Sequence, residues 1–415
     1  MRQHFGRLVS CAICLLTICA SASAQSGTFS YITAYPVPTA HSQPRGITVG
    51  PDGALWFAES NGNKIGRVTA AGVFTEYPVP TPDSVPYGIT VGPDEAIWFT
   101  EYRGNSVGRI SLAGMITEYP IPTPASDSQA IIKGPDGALW FAEAQGSGNG
   151  QIGRVTTSGA FTEYTVPTPH SQPSGLAVGS DGALWFSEWN ADKIGRITTA
   201  GLITEYPLPA ANSEPLWVAA GPDGAVWFTE QAGNNIGRID TSGFITEYPV
   251  PTAQSSPWGI IAALDGALWF VEYDTNKIAR ITTAGVITEY SVPTNLAAPQ
   301  GIAVGPGVRA LWITAYNGNG IGAVPDCALG LSTSFAHHTL TTNFYLGIDE
   351  PAVWNIAARN VVLLDESIPG VVPVRPISLD WQPFPNTGKV LVKSSLSSPA
   401  GRILCSEWNT VDTGL

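Results

Sequence analysis

Residues 173–207 read PSGLAVGSDGALWFSEWNADKIGRITTAGLITEYP. A Gly-Leu-Ala-Val run meets a Ser-Asp-Gly turn, then Ala-Leu-Trp-Phe, a polar turn, Lys-Ile-Gly-Arg-Ile, an Ala-Gly turn and Ile-Thr-Glu-Tyr-Pro. Short runs of β-branched and aromatic residues punctuated by Gly, Asp and Pro read as strands, so the stretch holds four of them. The pattern recurs with its tryptophan at Trp56, Trp98, Trp140, Trp185, Trp227, Trp269 and Trp312, at spacings of 42, 42, 45, 42, 42 and 43 residues. Four strands in about 40–45 residues is the signature of one propeller blade. Seven units predict an all-β, seven-bladed β-propeller.

Composition agrees. Of 415 residues only 13% are charged, while Gly and Pro number 45 and 34. So many helix breakers exclude a long helical bundle, and a 44% hydrophobic content excludes disorder. The net charge of −13 argues against a nucleic-acid partner.

The ends of the chain differ from its middle. Arg2 and Arg7 precede a mostly apolar stretch over residues 8–20, and Ala22-Ser23-Ala24 forms a small-residue cleavage site. Residues 1–24 therefore read as a signal peptide, too short in its apolar core to span a bilayer. The expectation is a secreted or periplasmic protein. After Val324 the repeat stops, and residues 326–415 read as a small β-sandwich-like domain with strand-like runs at residues 361–364, 371–373 and 390–392. Cys327 and Cys405 bracket it and, in an oxidising compartment, most simply form one disulfide. The adjacent pair His337-His338 would point to opposite faces of a strand, which disfavours a shared metal. Residues 25–325 are left to the propeller.

Within each unit a two-residue Xaa-Gly turn places an Arg of the third strand opposite a Glu of the fourth. The pairs are Arg67/Glu76, Arg109/Glu118, Arg154/Glu163, Arg196/Glu205, Arg238/Glu247 and Arg280/Glu289. The seventh unit has Ala323 in place of the Arg and no fourth strand, whereas residues 31–38 form an orphan fourth strand with Ala34 in place of the Glu. Joining these halves closes the ring and removes its exposed edges.

Antiparallel order fixes two faces. The inter-blade links and the turn after the Trp strand share the upper one; the Asp-Gly turns lie below and read as turn chemistry alone. On the upper face six Trp strands end in Glu59, Glu101, Glu143, Glu188, Glu230 and Glu272, and the seventh in Ala315. Their repetition favours a structural role, accepting backbone N–H groups. The positions opening the innermost strands vary instead: Arg45, Tyr87, Gln129, Ser174, Leu216, Trp258 and Gln300. Variation on a fixed scaffold is where specificity resides, so these residues other than Leu216, with Tyr102, Trp189 and Tyr273, are the candidate ligand-binding set. Residues 145–150 form the longest turn on this rim and a candidate flap. An acidic, aromatic mouth suits a cation, or an apolar ligand bridged by a divalent ion.

The repeated Gly-Ile-Thr, Leu-Trp-Phe-Thr-Glu, Ile-Gly-Arg-Ile and Thr-Glu-Tyr-Pro segments resemble the streptogramin B (virginiamycin B) lyase family over about residues 29–325. The resemblance implies Mg²⁺-dependent elimination that opens a cyclic depsipeptide. It also implies a Glu-Pro-His motif opening an inner strand and a second Glu ending the next Trp strand, with the carboxylates on the metal and the His as general base. Here Glu214-Pro215 and Glu230 match, which makes Glu214 and Glu230 the candidate Mg²⁺ ligands, but the His position is Leu216. The last blade, which carries the motif in the family, has Ala298-Pro299-Gln300 and Ala315. His41 and His170, both in inter-blade links, are the candidate substitute bases.

Three readings follow. One is a family propeller that binds a small or peptide-like ligand but lacks the family's chemistry. The second is a metal-dependent lyase with a relocated base and another substrate, and the third an extracellular module that binds protein or glycan. A monomer is the default.

Overall fold

The computed structural model describes residues 25–27, 32–145, 148–305, 311–324, 377–383, 389–397 and 403–412. Seven four-stranded antiparallel sheets stand around one axis. The repeat unit over residues 173–207 gives Pro173–Val178 innermost, then Leu184–Glu188, Lys193–Ile197 and Ile203–Pro207 at the rim. Every residue of each Trp strand is buried, as expected of a strand covered by blades on both sides. A tyrosine of the outer strand stacks on each tryptophan, for example Tyr164 on Trp140 at 5.5 Å between ring centroids. The tryptophans are core.

The ring closes as expected. Thr33–Pro36 pairs antiparallel with Gly320–Val324 and puts Ala34 opposite Gly322. One further strand, Gln25–Gly27, runs parallel to the outer strand Ile287–Ser291 of the sixth blade.

The predicted Arg–Glu pairing is not what forms. In the first blade Arg67 lies opposite Thr75, and Glu76 opposite Gly66; every complete blade keeps this register. The cause is the turn. Gly72 N–H donates to Thr69 O and Thr69 N–H to Val73 O, so the loop holds three residues rather than two, with Gly72 left-handed at φ 81°. Three-residue hairpins place their glycine there, and the extra residue slips the pairing by one.

Each charge goes elsewhere. Arg67 Nε donates to Asp52 Oδ2 at 2.6 Å, and Trp56 Nε1 donates to Asp52 Oδ1 at 3.1 Å. The Asp of the lower turn therefore ties the core tryptophan to the third strand, which is more than turn chemistry. Glu76 accepts from Lys64 Nζ at 2.8 Å and from the backbone and hydroxyl of Thr39 in the preceding link. The seventh blade has lost all four charges together. Ala323, Ala34 and Gly320 replace Arg, Glu and Lys, and residues 305–310 contain no Asp. Trp312 Nε1 is correspondingly buried without a hydrogen-bond partner.

Near the C-terminus Ile377–Pro383, Lys389–Ser397 and Ile403–Asp412 form one antiparallel sheet. The expected run at residues 390–392 lies in its middle strand. The runs at 361–364 and 371–373, the signal peptide, Cys327 with its expected bridge to Cys405, and His337-His338 lie outside the described residues.

Candidate ligand site on the upper face

Adjacent innermost strands approach closely because a glycine faces the neighbouring backbone. A Cβ on Gly301 would stand 2.4 Å from Arg45 O, and one on Gly46 2.6 Å from Tyr87 O. Side-chain hydroxyls tie the contacts: Thr314 Oγ1 donates to Arg45 O at 2.6 Å and accepts from Gly301 N at 2.8 Å. The resulting axial tunnel contains a cavity of about 340 Å³ with a mostly apolar wall that includes Ile47, Ile89, Ile131 and Ile260.

Trp217 also lines it, in the register that Gly46, Gly88, Gly175, Gly259 and Gly301 occupy in other blades. Its Nε1 is buried with no hydrogen-bond partner. Aligning the repeats on the proline that opens the inner strand would have exposed this departure; attention to the first residue after that proline missed the second.

The positions chosen from sequence fall into four groups. Arg45 lies 4.7 Å from the ring centroids of both Tyr87 and Tyr316, and its Nη2 donates to Tyr316 Oη at 3.4 Å. Tyr87 stacks on Tyr102 at 5.9 Å, Trp258 on Tyr273 at 5.5 Å, and Tyr273 meets Tyr316 at 6.2 Å. One aromatic arc around a guanidinium therefore runs over blades six, seven, one and two. Ser174 Oγ donates to Gln129 Oε1 at 2.6 Å on the opposite side of the mouth. Trp189 stands apart, donating to Gln231 Oε1 at 3.4 Å. Gln300 is 4% exposed with Oε1 unpartnered, and Leu216 is buried.

The six repeated glutamates do not make the mouth acidic. All have zero exposure and lie within the blades, against the outer-strand glutamates. Burial, with Glu163 adding repulsion, pushes Glu143 up to about 8. Neither of its oxygens finds a donor, so it does not accept the backbone N–H expected of it. A buried carboxyl without a partner stays protonated.

Glu230 is equally buried but has a partner. It is pushed up to about 7 by burial, partly offset by Asn235, whose Nδ2 donates to its Oε2 at 3.0 Å. Glu214 is half-buried in a left-handed conformation, φ 51°, and its N–H donates to Asp192 Oδ1. Among the described residues no three His, Cys, Asp or Glu groups stand together as a metal-holding cluster. Mg²⁺ demands near-octahedral oxygen ligands, and Glu230, with no exposure and its Oε2 already accepting from Asn235, does not fit that demand.

His41 and His170 are exposed, and Asn61 and Asn190 hold their carbonyls. Both are left-handed, at φ 55° and 56°, as are Asp83, Ala125, Asn212 and Gln254 at the same place in other links. The link geometry, not the imidazole, sets that position.

A closed disc of seven four-stranded sheets with a variable upper mouth is a seven-bladed β-propeller in class. The sequence matches the profile of the virginiamycin B lyase family over residues 20–151 and 147–343. A solved streptogramin B lyase is 39% identical, with 71% of this chain and 96% of that one covered and a TM-score of 0.67. The virginiamycin B lyase of Staphylococcus aureus is 40% identical, covering 71% of this chain and 98% of its own, again at 0.67. A catalytically inactive variant of that enzyme, solved with quinupristin, matches at 39% and the same TM-score and coverage. The chain belongs to the virginiamycin B lyase family.

Proposed function

We propose that this chain is an exported member of the family that binds a small or peptide-like ligand in its upper mouth without running the family's Mg²⁺-dependent elimination. The relatives' names, streptogramin B lyase and virginiamycin B lyase, and the quinupristin complex supply the ligand-binding half of the reading. One observation carries the other half: the residues opening the innermost strands are Arg45, Tyr87, Gln129, Ser174, Leu216, Trp258 and Gln300, so none is a histidine that could accept an α-proton. A general base must reach the proton it removes, and the exposed His41 and His170 sit back in the links.

Incubating the purified chain with a streptogramin B and Mg²⁺ tests this by mass spectrometry of the linear product. No turnover above the metal-only blank is expected. Turnover abolished by Glu230→Gln would overturn the reading, and turnover lost in His41→Ala or His170→Ala would establish a relocated base. Export is tested by N-terminal sequencing of the secreted form, which should begin at Gln25.

A further inference from the structure

Arg45 is the one residue with a full positive charge among those opening the innermost strands, and no anion among the described residues pairs with it. Nine other cations of the blades are matched: Lys64 with Glu76, Lys193 with Glu205, Lys277 with Glu289, and the third-strand arginines with the turn aspartates. Arg103 and Lys133 enter no such pair but are exposed to water, unlike Arg45. Arg45 enters no ion pair among the described residues, and its Nε is buried without an acceptor. Asp127, half-buried across Tyr102, is turned to Tyr102 and Arg103. The six repeated glutamates are enclosed in the blades. A guanidinium cannot shed its charge in a protein, and holding one half-buried and unpaired is costly.

The geometry around it defines what is missing. Tyrosine rings from both flanking blades lie 4.7 Å from the guanidinium carbon. The two rings flank the guanidinium, Nε is buried and Nη2 makes one long bond to Tyr316 Oη at 3.4 Å, so the remaining terminal N–H donors are left for a ligand. Such donors suit a carboxylate, which accepts two parallel hydrogen bonds. Beside it the stacked Trp258 and Tyr273 continue to Tyr316, and Trp258 Nε1 is buried with no acceptor.

We propose that the upper mouth binds a small aromatic carboxylate, its carboxylate on the edge of Arg45 and its ring against the Trp258–Tyr273–Tyr316 arc. This rests on the upper-face reading above and replaces the cation expected from sequence.

Calorimetric titration of the signal-free chain with phenylacetate, indole-3-acetate and their primary amides is the test. The acids should bind about tenfold or more tightly than the amides, since a charge-assisted pair is at stake. Arg45→Gln should remove that tenfold preference, weakening the acids far more than the amides. Arg45→Lys, which keeps the charge but not the planar fork, should restore part of it and serves as the second variant if Arg45→Gln folds poorly. Trp258→Ala should weaken acids and amides alike. Acids and amides binding equally, with Arg45→Gln without effect and Trp258→Ala harmful, would overturn the anion and leave the upper-face site standing. Acid binding that survives both variants would place the ligand elsewhere and overturn both. Failure of the acids to bind the wild-type chain overturns the carboxylate proposal outright.

Discussion

Glu143 shows how one residue's burial becomes a property of the protein. Its carboxyl holds a proton up to about pH 8 in the folded chain, because burial and the neighbouring Glu163 both penalise the charge. The unfolded chain releases the same proton near 4.5. Between those values the native state binds more protons, so stability falls as pH rises through the interval. Glu59, Glu101 and Glu188 repeat the shift to about 8, and Glu230 and Glu272 to about 7. The melting temperature should therefore drop between pH 6 and pH 9. Glu143→Gln, which cannot ionise, should make that slope shallower and raise the melting point at pH 9 by roughly 2 °C or more. An unchanged slope in calorimetric scans would mean that Glu143 is already ionised at neutral pH.

Among the elements, the outer hairpin sets the blade's register. Gly201 has φ 88°, and a Cβ there would stand 2.2 Å from Cε1 of Tyr164, which stacks on Trp140 of the preceding blade. Gly201→Ala would combine backbone strain with a collision at a packed aromatic stack. A loss of about 1–3 kcal/mol in urea unfolding is expected. The same element shows where reading the sequence went astray. The Xaa-Gly pair is visible, but a two-residue and a three-residue loop share that glycine. Only the backbone hydrogen bonds around Thr69 and Val73 distinguish them. That one-residue slip moved every Arg from a partner on the next strand to the aspartate of a turn fifteen to eighteen residues earlier.

For the whole molecule, closure depends on a strand taken from the far end of the chain. Asn319 accepts from Ser42 N at 2.7 Å and donates to Thr39 O, so the link after the closing strand is held as firmly as the strand itself. Removing residues 25–39 exposes the edge Gly320–Val324 and deprives Glu76 of Thr39. Cooperative thermal unfolding should be replaced by a broad transition at lower temperature. Adding a peptide of residues 32–43 in excess should restore part of the loss, since whatever binds only the folded ring stabilises it. A truncated chain that melts like the intact one would mean that the ring does not need its clasp.

Reading the amino-acid order was enough for the number of blades, the four strands in each and the closing strand. All of these follow from local periodicity and from which repeat lacks which strand. It also located Arg45, Tyr87, Trp258 and Gln300 at the mouth, because register within a blade carries each to the same height. Tertiary structure alone decided what those side chains meet. Whether a glutamate faces an opening or disappears beneath a turn, whether an arginine has a carboxylate beside it, and whether Trp217 enters the tunnel depend on groups brought together from different blades. Such contacts between distant parts of the chain leave no mark in the periodicity of one repeat.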